Sequence, residues 1–411
     1  MNTYLIIGKS FSGLKQKITS RGEDFVVLLD TAATKYPDKE RPKTIVVDFS
    51  EDAAMKKVLE KLRGTVDAVL VTYENYILSA AKIANELGLP GMPVESAKAC
   101  TDKYIMRDLF ANAPIKISPS FADVTSWEDV ESFAKKHSFP LMLKPANLAK
   151  SLLVTKNSNS DELRDNYTKM MAIIDKTYKK YAPGRQPRII IEEFMEGPIH
   201  SVDAFIDGSG NPQVLENIVD YQTGYDIGFD DNFHYSRLLP SKLSEDEAQK
   251  LRTCAEVGIR SLGMRFSAAH VEIIRTKDGP RIVEIGARNG GYRDRMHALA
   301  NGIDILGTAL NISLGQSVSV KATKNEPCAV LEIFPKNPGA FDSMQNWQQV
   351  QKLDSFVYGS IKATPGNPVG KSSEGYKACA IVILHNKNED IFNKDLAFVD
   401  QNVFAKTVQA S

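Results

Sequence analysis

The chain has 411 residues, 43% hydrophobic and 25% charged, enough for two or three domains with cores of their own. Acidic and basic residues balance at 51 each, so no global field draws it to nucleic acid or to an anionic membrane. Cys100, Cys254, Cys328 and Cys379 form neither a CxxC pair nor a zinc-spaced Cys/His cluster, and a reduced, cytoplasmic protein is expected.

The opening MNTYLIIGKS carries an apolar run of strand length. It falls short of a signal h-region and of the roughly 18 apolar residues that a membrane span needs. Gly8-Lys9-Ser10 is not a Walker A loop, because Thr3 stands where that motif needs glycine. Apolar runs at 4–7, 25–29, 44–47 and 68–71 alternate with helical segments at 52–63 and 76–87. Buried strands separated by helices predict an open α/β domain over residues 1–100, ending in the break at 91–99. Residues 101–316 are longer and mixed. They hold a helix from Asp102, strands at 141–144, 189–194 and 201–206, a helix at 245–262, and a hairpin over 269–287. The remaining 317–411 carry strands near 329–334, 356–361 and 379–384 and read as a small α+β unit. The Asn166 and Asn311 sequons are read as chance matches.

The hairpin carries the most chemistry. Two β-prone runs flank Lys277-Asp278-Gly279, read as a three-residue loop with glycine at the left-handed position. That register sets Glu272 directly opposite Glu284. It places Val271, Ile273, Val283 and Ile285 on the core face, and His270 with both acids on the other. Two carboxylates about 5 Å apart repel by roughly 3 kcal/mol at an effective dielectric of about 20. A divalent cation between them reverses the sign, and carboxylate oxygens suit magnesium. Solvation, pairing with a nearby arginine such as Arg288, or a shared proton would also relieve the repulsion.

His270-Val271-Glu272, followed by Glu284-Ile285-Gly286-Ala287-Arg288-Asn289-Gly290-Gly291, resembles the end of the nucleotide site in the ATP-grasp superfamily. The resemblance implies an N-terminal open α/β (pre-ATP-grasp) domain, a two-lobed ATP-grasp module and a small C-terminal α+β domain. It implies that Glu272 and Glu284 hold magnesium, or manganese, on the phosphates of ATP, and that Arg288 polarises a substrate carboxylate. Many members have Asn two residues after the second Glu; Gly286 stands there, a departure shared with the L-amino-acid α-ligases, which make dipeptides.

The same resemblance implies that Lys103, at the start of a helix capped by Thr101, and Lys144, ending an apolar strand, reach the phosphates. The loop after Lys144 lacks the usual glycines but keeps Ser151, and Lys150 is a further cation or a solvated one. The adenine hinge maps to Glu192-Glu193-Phe194-Met195-Glu196. The ribose acid falls on Ile199, with Glu196 as a substitute. Tyr225, His234, Tyr235 and Arg237 lie on a polar stretch read as a loop facing substrate or solvent. Tyr292 lines the acid pocket or packs, and His270 is a general acid/base or a structural histidine. The implied activity is an ATP-dependent carboxylate–amine ligase acting on a small acid, an amino acid by preference, and an amine, with a homodimer as the default assembly. An ATP-grasp enzyme of carboxylase or nucleotide-synthesis type and a non-catalytic ATP-binding regulator are the alternatives.

Overall fold

The computed structural model describes residues 1–9, 11–31, 43–148, 152–182 and 184–408. A parallel four-stranded sheet comes first, in the order Thr44–Val47, Asp24–Asp30, Thr3–Ile7, Ala68–Val71. Leu5 and Ile7 enter one core and Tyr4 and Ile6 another. Burial on both faces explains why these strands read as unbroken apolar runs. The chain leaves the last of them through a short turn, Glu74–Tyr76, into the helix Ile77–Leu87.

A second, antiparallel sheet runs in the order Phe121–Val124, Ile189–Glu193, Leu141–Pro145, Thr155–Asn157. Leu141, Leu143, Ile189 and Ile191 pack under the helices Trp127–Ala134 and Ser160–Tyr181. The two-residue period therefore turns Met142, Lys144, Ile190 and Glu192 to the opposite face. That face looks into the cleft.

The third sheet has nine strands. Its path is Gly279–Gly286, Ser267–Thr276, Ile199–Ile206, Val219–Thr223, His234–Leu239, Cys328–Ile333, Ala380–His385, Phe356–Ile361, with Pro212–Val214 beside Ile199–Ile206. Three strands from the segment after residue 317 thus continue the sheet that begins with the hairpin. Gly339–Met344, Pro368–Val369 and Ala405–Val408 form a small sheet of their own. Val202, Ala204, Val271, Ile273, Ile282 and Ile285 share a core with the helix Glu245–Ser261 on one side of the nine-stranded sheet. The other side is polar near the hairpin, where Arg293 and His297 of the helix Arg293–Asn301 bond to it. Among the described residues no helix is long and apolar enough to cross a membrane.

Candidate active site

Glu272 and Glu284 are direct cross-strand partners, as their spacing predicted, and so project from the same face. Nearer the turn the register shifts by one. Ile273 pairs with Ile282 and Thr276 with Gly279, leaving Val283 as the extra residue of a bulge. The loop is therefore Lys277-Asp278 rather than three residues, and Ile282 takes the core place expected for Val283. Without the bulge, that shorter turn would set Glu272 against Val283. Arg107 fills the bulge by donating from Nη2 to the Val283 carbonyl at 2.9 Å.

Lys103 Nζ lies 2.8 Å from Glu284. Its helix, Lys103–Ala111, is capped by Asp102, whose carboxylate accepts the Tyr104 and Ile105 N–H groups. The expected cap, Thr101, instead ends the preceding helix Val94–Thr101 and bonds back to the Ala97 and Lys98 carbonyls. The Lys103 ammonium holds the Glu284 carboxyl below the usual range, against its burial and the charge of Glu272. Burial alone would raise the Glu272 carboxyl, but His270, His234 and Arg288 together hold it well down.

On the facing sheet Lys144 pairs with Glu192, which also accepts from Arg107 Nε at 3.0 Å. All three side chains are buried. Burial, reinforced by Arg107 and Lys103, pushes the Lys144 ammonium far below its ordinary pKa, and burial takes Arg107 down to about 10. Glu192 thus belongs with the cations of the cleft. Glu193 points the other way, accepting from Ser120 N at 2.9 Å and standing 3.1 Å from His137 Nδ1. The Phe194 N–H donates to Pro140 O, Lys156 Nζ sits 4.0 Å over the Phe194 ring, Met195 is half-buried and Glu196 exposed. Glu192 and Glu193 therefore point to opposite sides of the strand, Glu192 to Lys144 and Arg107 and Glu193 to Ser120 and His137. Ser151 and Lys150 lie outside the described residues.

Arg288 Nε bonds Glu74 at 2.9 Å, and its Nη1 donates to the Asn289 carbonyl. Glu74 comes from the turn that follows the parallel sheet, and no spacing in the sequence marked it. Its Oε2 lies 3.2 Å from where a Cβ on residue 286 would stand, so the glycine there leaves room for it. Burial pushes the Glu74 carboxyl up, while Arg288 pulls it back.

His234, Arg237 and Tyr292 come together around Tyr221. The expected loop is in fact the strand His234–Leu239. A register shift beside Gln222 and Thr223 leaves Tyr235 out of the pairing, so His234 and Arg237 both face Tyr221 although they are three residues apart. Tyr235 turns away to bond Asp400 at 2.8 Å, and Tyr225 is exposed. Glu332, also unmarked by the sequence, joins the cluster by accepting from Arg237 Nη2 at 3.0 Å and the Tyr292 hydroxyl at 2.8 Å. Burial lowers the pKa of His234, partly offset by Glu272.

His270 is buried behind the acids. Its Nδ1 is 2.8 Å from Asp203, and its Nε2 is 3.3 Å from the Tyr221 hydroxyl and 3.5 Å from Glu272. Burial would lower its pKa, but Tyr221, Asp203 and Glu272 outweigh that and raise it to about 10. Such an imidazole is held as a cation with both nitrogens engaged, which favours the structural role over acid/base work. Two adjoining carboxylates give an all-oxygen donor set, with lysines from two other elements beside it, and this suits a magnesium–triphosphate group.

Residues 137–294 match the family model described as the ATP-grasp domain. The structure is similar to that of an L-amino acid ligase from Bacillus licheniformis, with a TM-score of 0.83 and 19% identity, covering 100% of this chain and 99% of that one. In sequence, the alanine–anticapsin ligase of Bacillus subtilis strain 168 is 27% identical over 272 residues, 64% of this chain and 55% of that protein. An L-arginine-specific L-amino acid ligase of Bacillus subtilis is 23% identical over 372 residues, 88% of this chain and 85% of that one. The fold is that of the ATP-grasp proteins. Within that class the chain resembles the L-amino-acid ligases.

Proposed function

We propose that the chain is an ATP- and magnesium-dependent ligase that joins a small carboxylic acid, an amino acid, to an amine through an acyl-phosphate. The direct pairing of Glu272 with Glu284, beside Lys103 and within the field of Arg288, carries this reading. A non-catalytic ATP-binding protein has no need of a carboxylate-activating arginine. Residues 1–100, 101–316 and 317–411 would serve as substrate-holding domain, nucleotide clamp and pocket wall.

Magnesium, or manganese in its place, would be held by Glu272 and Glu284 and would neutralise charge on the triphosphate. Lys103 and Lys144 orient the phosphates. Arg288 exchanges Glu74 for the substrate carboxylate, whose oxygen attacks the γ-phosphorus as ADP leaves. The amine nitrogen then attacks the acyl carbon, the C–O bond to phosphate breaks, and the amide forms as the nitrogen gives up a proton. His234, Arg237, Glu332 and Tyr292 line the side where the rest of the acid lies. Closing the lobes keeps water from the acyl-phosphate.

The test is phosphate release from ATP and magnesium across amino acids offered singly and in pairs, with hydroxylamine added to trap the acyl-phosphate as a hydroxamate. Acid-dependent turnover and a hydroxamate are expected. ATP binding without acid-dependent turnover under any pairing would transfer support to the regulatory reading.

A further inference from the structure

Asp203 is a buried acid that the proposed reaction does not use. It lies on the strand Ile199–Ile206, directly opposite His270, and between Val202 and Ala204, which face the apolar core. Three cationic or polar groups converge on it: His270 Nδ1 at 2.8 Å, Arg293 Nε at 3.0 Å and His297 Nε2 at 3.3 Å. All three partners are buried with it. Packing alone does not call for a charge there, since an apolar side chain would fill the place without desolvating a carboxylate.

The partners show what the charge does. Through His270 it reaches Glu272, because the far nitrogen of that ring lies 3.5 Å from the Glu272 carboxylate. Through Arg293 it reaches the segment that carries Arg288. Arg293 opens the helix Arg293–Asn301 just after Gly290-Gly291, and its guanidinium also bonds Ser201, Tyr221 and the Gly291 carbonyl. The glycine turn is pressed onto the same group: a Cβ at Gly290 would stand 2.5 Å from His270 Nδ1 and 2.8 Å from the Arg293 side chain. His297, one turn further along, closes the network onto Asn301 at 2.9 Å.

We infer that Asp203 is a positioning residue that fixes the metal-facing carboxylate of Glu272, through His270, in register with the turn that presents Arg288. It touches neither nucleotide nor substrate. The inference rests on the proposed metal role of Glu272 and Glu284. Removing a partner that orients a ligand typically costs about 10–100-fold in metal affinity.

The measurement is manganese binding in the presence of a non-hydrolysable ATP analogue, with free manganese followed by electron paramagnetic resonance. Nucleotide affinity in EDTA and thermal melting are recorded beside it. Asp203→Asn should weaken manganese about 10–100-fold while metal-free nucleotide affinity moves less than about threefold. His270→Asn is the second variant. Its amide nitrogen falls near the imidazole Nδ1 and keeps the bond to Asp203, but the side chain ends short of Glu272. It should lose manganese affinity to a similar degree, melting lower than wild type at neutral pH but still cooperatively, and it decides the matter alone if Asp203→Asn does not fold. Wild-type manganese affinity in either folded variant overturns the role of Asp203. If the wild-type protein itself takes up no manganese with nucleotide, the metal reading of Glu272 and Glu284 falls, and this inference with it.

Discussion

At the end of the cleft proposed to take the phosphates, Glu192 sits between Lys144 and Arg107 with every side chain buried. At the end proposed to take the acid, Arg288 and Glu74 pair at 2.9 Å with 24% of each side chain exposed. Both ends cap a cation with a carboxylate, but the energetics differ. Taking one partner from a buried pair leaves an uncompensated charge and costs about 3–5 kcal/mol. A half-buried pair such as this one lies between that cost and the roughly 0–1 kcal/mol of a fully exposed pair, because water can reach and hydrate the group left behind. Glu192 is therefore a fixed part of the buried Lys144–Arg107 cluster. Glu74 is displaced at smaller cost, which suits the exchange for a substrate carboxylate proposed above.

The largest expected effect lies between these ends. Glu284→Gln removes half of the paired acid site and frees Lys103, so acid-dependent phosphate release should fall by at least about 10³-fold with the melting temperature within a few degrees of wild type. Chelation with EDTA should do the same to the wild-type enzyme. Retained turnover in the variant would take Glu284 out of the site and leave the cleft a binding surface.

The contrast in burial is broken or upheld by two variants measured together in urea. Glu192→Gln should lose about 3 kcal/mol or more of stability, because Arg107 is left as an unpaired buried cation and Lys144 loses the acid it bonds. Glu74→Gln should lose less, because about a quarter of the Arg288 side chain reaches water and the freed guanidinium can be hydrated. Equal losses would mean that the acid-end pair is as fixed as the other, and the exchange of Glu74 for a substrate carboxylate would have to be given up.

A third effect comes from His270. Its pKa stands near 6.5 in the unfolded chain and about 10 in the fold, so the folded state binds an extra proton between these values. By linkage its contribution to stability is full below about pH 6.5 and is lost as pH rises toward 10. Urea midpoints of the metal-free protein should decline across that window, and His270→Asn should flatten the decline. An equally steep fall in the variant would assign it to other groups.

The parts of the site that lie within one hairpin were legible in the sequence, because a two-residue period decides which side chains share a face. Glu272 and Glu284 fell together for that reason. The bulge at Val283 was not legible, since Ile282 and Val283 are equally apolar and either can enter the core. Nor was the one beside Tyr235, which brings His234 and Arg237 to one face against the simple alternation. Glu74, Glu332 and Asp203 lie on segments that only the strand order brings near the hairpin, and a single acid in a strand or turn carries no local signal. Asp102 and Thr101 are both good caps, and the choice between them follows from where the preceding helix ends.

The smallest effect is the one that best locates the acid pocket. The Tyr292 hydroxyl donates to Glu332 at 2.8 Å, and Arg237 holds the same carboxylate at 3.0 Å. Tyr292→Phe keeps the ring and removes one hydrogen bond to a charged acceptor that still has its arginine, a loss of about 1 kcal/mol. Because the hydroxyl bonds Glu332 while Lys103 bonds Glu284, the change should raise KM for the acid about fivefold and leave kcat for phosphate release within about twofold. Initial rates over a range of acid concentration at saturating ATP separate the two. A fall in kcat of about 100-fold at unchanged KM would instead place the hydroxyl at the reacting carboxylate. The acid would then lie closer to the phosphates than the Arg237–Glu332 cluster allows, and Arg288 would no longer be the group that receives it.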